Sequence, residues 1–337
     1  MANAVFSPKD FKAYVIEEAT TGTSPAITAA LFQLDVDSVS FPTLNVNQVA
    51  NVRSRTGRVA SSDDFFQDND MRAVEVSLSG TWHNDAGHGM LLQSVAGAAL
   101  AGAAADVSIG TSATTKAGKY GESESEKTFT LVLASPDVTD GHNILVKGCL
   151  CTNFAITADM GTDGGQYKWS ATISSGRVPA LNNTDAPGVG SGGSVYSSTF
   201  VDMAGIDVSA IKIYNLNPIL SSFGVTIDSP AIYTGIDEGN GYACFGRGEE
   251  IAITANATIK LDSVTRGLPT SFDTQTADIN AGLFTINQVT ATATSITAPA
   301  GILTNVVYNE GDAMMLDVEM KVLNNGSDAP IAFNLAS

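Results

Sequence analysis

The chain has 337 residues, 44% hydrophobic and 15% charged, with 17 lysines and arginines against 35 aspartates and glutamates, a formal net charge of −18. This length predicts two domains, and the hydrophobic content excludes a disordered chain. The acidic balance excludes a protein that grips nucleic acid through clustered cations. An acidic wall would still suit a passage for DNA, because it repels the polymer.

The cysteine count and the chain start bear on the folding compartment. Three cysteines exclude a disulfide scaffold and favour a reducing compartment. Residues 1–11 lack the features of a secretory signal, and no uncharged apolar stretch reaches ~20 residues. We therefore expect folding in the cytoplasm of the producing cell and no membrane association.

Three segments alternate apolar and polar residues, the pattern of strands with one dry face. They are residues 73–85 (AVEVSLSGTWHND), 166–174 (QYKWSATIS) and 314–322 (MMLDVEMKV). Together with many shorter runs rich in Thr, Val and Ile, they predict an all-β fold. An antiparallel sheet with one wetted face is expected.

Helical signals are few. An N-cap residue, Asn84 or Asp85, precedes HGMLLQSVAGAAL and predicts one short helix packed across the mouth of a sheet. A second short helix is expected near residues 199–208. Each domain should therefore carry at most a short helix.

Residues 178–198 concentrate Pro, Gly, Asn and Ser and are typical of an interdomain linker. We place the boundary near 190, giving domains 1–190 and 191–337. The order of elements repeats in the two halves, which favours tandem duplication. Residues 73–85 align without gaps on 250–262, residues 39–46 resemble 222–229, and 128–131 resemble 283–286. The first domain would then carry an insertion over about residues 88–125.

Candidate chemical sites are weak. His83, Asp85 and His88 lie close in sequence but lack metal-ligand spacing, and Cys149 and Cys151 have no second pair. Residues 159–165 (DMGTDGG) lack the spacing of a calcium loop and predict a hairpin turn. We expect no enzyme, no catalytic or metal residues and no cofactor.

The segment 47–70 is the most unusual stretch. One interpretation is a solvated surface loop. Against it, about 20 residues without secondary structure are uncommon in a compact domain unless functional. The favoured hypothesis is an arm that meets the next subunit, with cations facing carboxylates and aromatic anchors: Arg53, Arg55, Arg58, Asp63, Asp64, Phe65 and Phe66.

Residues 143–176 (NILVKGCLCTNFAITADMGTDGGQYKWSATISSG) place a Gly-Cys strand, a second strand, a turn and an alternating strand in succession. This run resembles a hallmark of the tail tube proteins of siphophages, the long-tailed bacteriophages. The second half, with SSFGVTIDS, ITANATIKLD and an acidic Gly-Asp step before its last strand, resembles the matching part. The resemblance covers nearly the whole chain.

The resemblance implies two tandem β-sandwich or split-barrel tail-tube domains, whose inner sheets join between subunits into a tube. A long loop and the termini would stack successive rings. Three such chains supply six ring positions, so homotrimeric rings with pseudo-sixfold symmetry are expected. Hexameric rings arise instead if the second domain is an outward decoration.

The implied function is that of the major tail tube subunit, a structural virion protein made in the host cytoplasm. Its partners would be copies of itself and the tape measure, distal tail and terminator proteins. DNA would pass through the lumen without specific binding. By alternation, the polar positions expected to face the lumen are Glu75, Ser77, Ser79, Thr81, Thr254, Asn256, Thr258, Asp317 and Glu319.

Two other functions fit part of the sequence. One is another self-assembling β-protein, such as a capsid decoration, baseplate or surface-layer component. The other is a hydrolase with a metal at His83 and His88. Imaging of assemblies would separate the first from a tube, and metal content would test the second.

Overall fold

The computed structural model describes residues 7–19, 21–28, 31–42, 48–50, 65–67, 74–96, 107–109, 128–136, 142–182, 187–188, 193–196, 200–234, 244–247, 251–270, 283–289, 295–310, 313–324 and 329–334. For 48–50, 65–67, 107–109, 233–234 and 244–247 the backbone alone is described.

The described residues are mostly β-strand, which confirms the predicted all-β fold. The strands of the first half are β1 (Lys12–Glu17), β2 (Phe32–Leu34), β3 (Ser38–Val39), β4 (Gln48–Ala50), β5 (Phe65–Gln67), β6 (Val74–Thr81), β7 (Val107–Ile109), β8 (Phe129–Ala134), β9 (Asn143–Asp159), β10 (Lys168–Ser175) and β11 (Ala180–Asn182). Those of the second half are β12 (Lys212–Ile213), β13 (Leu220–Asp228), β14 (Ala231–Thr234), β15 (Cys244–Arg247), β16 (Ala252–Lys260), β17 (Phe284–Ile286), β18 (Ser295–Ala298), β19 (Gly301–Glu310), β20 (Met314–Val322) and β21 (Ile331–Asn334).

One α-helix, α1 (Ala86–Val95), follows β6 where the sequence predicts it. Asp85 is its N-cap, and the Asp85 side chain accepts a hydrogen bond from the backbone N–H of His88. All ten helical residues are buried, and α1 packs on β9 and β2. In the segment 199–208 the structure has a 3₁₀ turn, Met203–Gly205. Among the described residues no helix is long and apolar enough to cross a bilayer.

The principal sheet contains a run of eight antiparallel strands in the order β19-β20-β16-β13-β9-β10-β6-β3. The first half contributes β3-β6-β10-β9, and the second half contributes β13-β16-β20-β19. These are the same four positions in the same order. The two sets meet edge to edge where β9 pairs with β13.

The register corrects one part of the sequence alignment. In the gapless alignment of 73–85 with 250–262, Leu78 corresponds to Ala255. Leu78 lies opposite Val39, and Ala255 lies opposite Val225. Val39 therefore corresponds to Val225, which is three residues from the match made by aligning 39–46 with 222–229. An offset of three residues is odd, so the sequence match exchanged the two faces of the strand, and the register restores core-facing Val39 to core-facing Val225. Following the register further gives these equivalent pairs: Gly80 and Ala257, Trp169 and Val318, Ile156 and Val306.

The strands of the second layer are also arranged similarly in the two halves. In the first half the start of β9 pairs with β8 and β11, and β8 pairs with β1. In the second half β18 pairs with β17 and β21, and β17 pairs with β12. The strand β7, from the predicted insertion, pairs with β21. The first half thus adds a strand to the second half's outer sheet.

The predicted boundary near residue 190 does not interrupt the packing. A single core cluster extends from Ala13 in the first half to Phe333 in the second. Two parts of the predicted linker also bind the first half: β11 pairs with β9, and Ser194 exchanges backbone hydrogen bonds with Leu31 and Gln33. The division into domains 1–190 and 191–337 stays a prediction.

Candidate assembly interface

The polar residues expected to face a lumen share one face of the eight-stranded sheet. Ser79, Ser170 and Ala155 lie in register on neighbouring strands, and the row continues through Thr226 and Thr254. The parallel rows on the same face carry the remaining predicted positions: Glu75, Ser77, Thr81, Asn256, Thr258, Asp317 and Glu319. The opposite face is buried in the core, as Val76, Leu78 and Trp82 are.

Cross-strand hydrogen bonds order this polar face. Asp317 accepts from Thr258 Oγ1 at 2.7 Å and from Asn309 Nδ2 at 3.0 Å. Glu319 accepts from Thr304 Oγ1 at 3.0 Å. Such cross-strand pairs stabilise the pairing of β20 with its neighbours β16 and β19. The face is therefore polar and partly linked by its own hydrogen bonds.

The charge of the face is mixed. On the described strands it carries five carboxylates, Glu75, Asp159, Asp228, Asp317 and Glu319, and three lysines, Lys168, Lys260 and Lys321. Lys168 Nζ lies 3.2 Å from Asp37 Oδ2 and donates to Thr81 at 2.9 Å. Carboxylates outnumber lysines on this face, and the Lys168 charge has a carboxylate partner.

The junction between β9 and β13 shows how two such sheets join. Ile156 of β9 lies opposite Val225 of β13, and both side chains are buried. Next to it, the rings of Tyr167 and Phe223 meet edge to face with centroids 5.1 Å apart. Gln288 Nε2 donates to the Tyr167 hydroxyl at 2.8 Å. The join is thus a packed, hydrogen-bonded interface within one chain.

The two ends of the eight-stranded run are open edges. Among the described residues no strand pairs with the outer side of β3 or of β19. In β19, Val307 is 46% exposed and Tyr308 54% exposed, whereas Val306 is half-buried. On β3, Val39 is half-buried. The sequence of β19 contains no proline, lysine or arginine, the residues that usually protect an open edge.

Most of the predicted arm lies outside the described residues: Arg53, Arg55, Arg58, Asp63 and Asp64. Phe65 and Phe66 are in β5, whose backbone pairs with β4. The two strands form a hairpin between β3 and β6. The second half has a hairpin of β14 and β15 at the same point, between β13 and β16.

The histidines flagged by sequence are buried structural side chains. His83 Nε2 lies 2.8 Å from Asp35 Oδ2, and His88 Nδ1 lies 2.8 Å from Asp85 Oδ1. Their ring centroids are 5.6 Å apart. In the part of the chain that the structure describes, no three His, Cys, Asp or Glu residues gather as a metal-binding group.

The two cysteines that lie two residues apart in the sequence are also core residues. The side chains of Cys149 and Cys151 are buried thiols. Burial, reinforced by the charge of Glu18, raises the pKa of the Cys149 thiol well above its ordinary value. A thiol held protonated is a poor nucleophile and metal ligand.

Sequence reasoning missed the two edge strands, the most informative part of the interface. A signal was present, because the ten residues of β19 include Ile302, Val306, Val307 and Tyr308 and carry a single charge, Glu310. Knowing that this run is an edge requires the strand order.

No protein-family model matches the chain, and a search of curated proteins returned no significant match.

Proposed function

We propose that this chain is a structural subunit that closes into rings by sheet extension, and specifically the major tail tube protein of a long-tailed bacteriophage. One observation carries the proposal: two four-stranded sheets of identical order join edge to edge within the chain, and among the described strands the outer edges of β3 and β19 have no partner. A repeated head-to-tail join that closes on itself makes a ring.

The internal junction supplies the register of the join between chains. Val306 holds the position of Ile156, and Val39 holds that of Val225. The internal pair Ile156 and Val225 therefore predicts that Val306 of one chain lies opposite Val39 of the next. The half-buried valines would become fully covered, as their internal counterparts are.

Three chains closing in this way give a barrel of 24 strands with six equivalent sheets. At a strand spacing of about 4.8 Å, the backbone circle is about 40 Å across. That width leaves room for a nucleic-acid duplex inside the side chains. The continuity of the sheet across both halves favours a trimer of two-module chains over a hexamer with an outward decoration.

The polar face supports assignment as the lumen. A sheet with one buried face must turn its other face to water, and a wide closed barrel can hold water inside. The ordered polar side chains on that face would offer DNA a hydrated, predominantly acidic surface to slide past. We assign the protein to the virion tail, with the tape measure, distal tail and terminator proteins as further partners.

Electron microscopy and mass measurement of the purified protein test the proposal. We expect rings of three 34.8 kDa chains with sixfold-like projections, and hollow tubes at higher concentration. Sixfold rings built from six chains would show that the ring is a hexamer and not a trimer. A chain that stays monomeric, or that forms flat layers, would exclude a tube and favour the capsid, baseplate or surface-layer class.

A further inference from the structure

Each half has a short 3₁₀ turn ahead of its first outer strand. The second-half turn is Met203–Gly205, and the N-terminal turn is Pro8–Asp10. Each is preceded by an extended polar N-cap residue, Asp202 or Ser7, and followed by an extended residue. The N-terminal turn lies against β3, and the second-half turn lines one groove with Leu220 at the start of β13. Because β3 and β13 hold equivalent places in the repeated sheet, the two turns do so as well.

The second-half turn packs on the first half at the internal junction. Met203 is buried there, and a Cβ built on Gly165 would lie 3.3 Å from the Met203 Cβ. Met160, just after β9, and Ala204, in the middle of the turn, line an apolar groove of about 480 Å³. The internal junction is therefore closed both by the pairing of β9 with β13 and by this turn.

The equivalent surfaces at the two ends of the eight-stranded run are exposed. In the N-terminal turn, residues 7–10 are all exposed. At the other end of the run, β19 and β20 pair with each other as far as Glu310 and Met314. Tyr308 on this hairpin is 54% exposed, and Met314 is 46% exposed. Within the described part of one chain, neither surface has the cover of its internal counterpart.

The two exposed surfaces carry opposite charges at the positions that would meet. By the register of β9 and β19, Glu310 holds the position of Met160. Lys9, in the middle of its turn, holds the position of Ala204. Met160 and Ala204 line one groove at the internal junction. At a join between chains, Glu310 of one copy and Lys9 of the next would therefore lie side by side.

We propose that the N-terminal turn of one copy docks on the β19-β20 hairpin of its neighbour, with Lys9 paired to Glu310. The turn would cover Tyr308 and Met314, whose side chains are exposed in the single chain. The neighbouring Asp10 carboxylate accepts a hydrogen bond from the backbone N–H of its own N-cap residue at 2.9 Å, so it is directed back at the turn. Opposite charges across a contact favour the correct partner. The inference deepens the proposed ring function and rests on it.

Charge reversal in the full-length protein tests the contact. Lys9→Glu and Glu310→Lys each place like charges at the join, and each should raise the concentration at which rings dissociate by about fivefold at low salt. The melting temperature of the dispersed chain should not change, because both side chains are exposed. The double variant restores opposite charges and should return to within about twofold of the parent. Arg266→Glu, at an exposed residue of the turn after β16, is the matched control for the change in charge and should behave as the parent does. Mass measurement over a dilution series gives these values.

The outcomes separate this contact from the ring itself. A double variant as weak as the single variants would overturn the inference, and so would single variants whose rings dissociate at the same concentration as those of the parent. In both cases the rings of the parent would leave the proposed function in place. A parent chain that forms no rings at any concentration would overturn the proposed function together with this inference.

Discussion

Gly80 lies in β6 where the segment containing Asp35 crosses the strand closely. A Cβ built on Gly80 would lie 2.0 Å from the Asp35 carbonyl oxygen, closer than any real contact. The same segment supplies the carboxylate of Asp35 to His83 and its carbonyl to the Trp169 indole. One glycine therefore permits a backbone approach that holds the first half's sheet against the chain leading into its edge strand.

Gly80→Ala should lower the free energy of unfolding by about 2 kcal/mol, because backbone must shift to relieve the overlap. Chemical denaturation of the dispersed chain measures the change. Gly267→Ala is the matched control, since a Cβ there meets nothing within 4 Å, and it should stay within about 0.5 kcal/mol of the parent. Equal stabilities for the two variants would contradict the account of Gly80.

Tyr167 gives a pH-dependent prediction. Burial, opposed by the hydrogen bond from Gln288 and reinforced by Asp202, raises the pKa of Tyr167 above its ordinary value of 10.0. Above about pH 10 the unfolded chain loses this proton while the folded chain keeps it. The unfolded state then binds fewer protons, so the free energy of unfolding falls as pH rises.

We expect the melting temperature to drop above about pH 10, and the drop to be smaller in Tyr167→Phe. Losing the hydroxyl should also cost about 1 kcal/mol at neutral pH, because Gln288 loses an acceptor. An unchanged alkaline slope in Tyr167→Phe would show that this proton is not linked to folding.

The strands on either side of the internal junction carry the element-scale argument. The predicted alternation of 73–85, 166–174 and 314–322 is confirmed in β6, β10 and β20, because a strand with one buried face must alternate. Alternation does not predict which strands are neighbours. The sequences of β9 and β13 contain no feature that distinguishes pairing with each other from pairing with a strand of another chain.

Edge variants test the proposed join between chains. Val306→Asp on β19 and Val39→Asp on β3 each place a carboxylate opposite a valine in the proposed register, so either should abolish rings and leave monomers. Val264→Asp, at an exposed turn residue, is the control and should form rings.

Mixing the two edge variants gives a sharper result. Each keeps one sound edge, so an equimolar mixture should form open heterodimers and no rings, detectable by mass measurement. Rings from Val306→Asp alone would contradict the proposed register, and higher oligomers in the mixture would indicate another contact.

At the scale of the molecule, strand pairing and a common core join the two halves. The β9-β13 join, the pairing of β7 with β21 and the common core cluster all cross residue 190. The order of strands repeats in the two halves, and both halves contribute to one sheet.

Cutting the chain at residue 190 should therefore give halves that are poorly soluble alone and that copurify as a one-to-one complex when coexpressed. Each half alone exposes apolar side chains that the join buries, among them Phe154 and Ile227. Circular dichroism and chromatography would follow folding and association. Two independently soluble, monomeric halves would contradict this dependence.

By itself, the sequence determined the fold class, the alternating strands, the capped helix α1 and the repeated order of elements, because these depend on contacts near in sequence or on periodicity. Only the tertiary structure decided which strands are neighbours, that the halves share one sheet and core, and which edges and groove are left open. Those features depend on pairing between strands that lie far apart in the sequence. Many strands have similar composition, so the sequence alone does not show which of them pair, and the packing of the whole chain decides it.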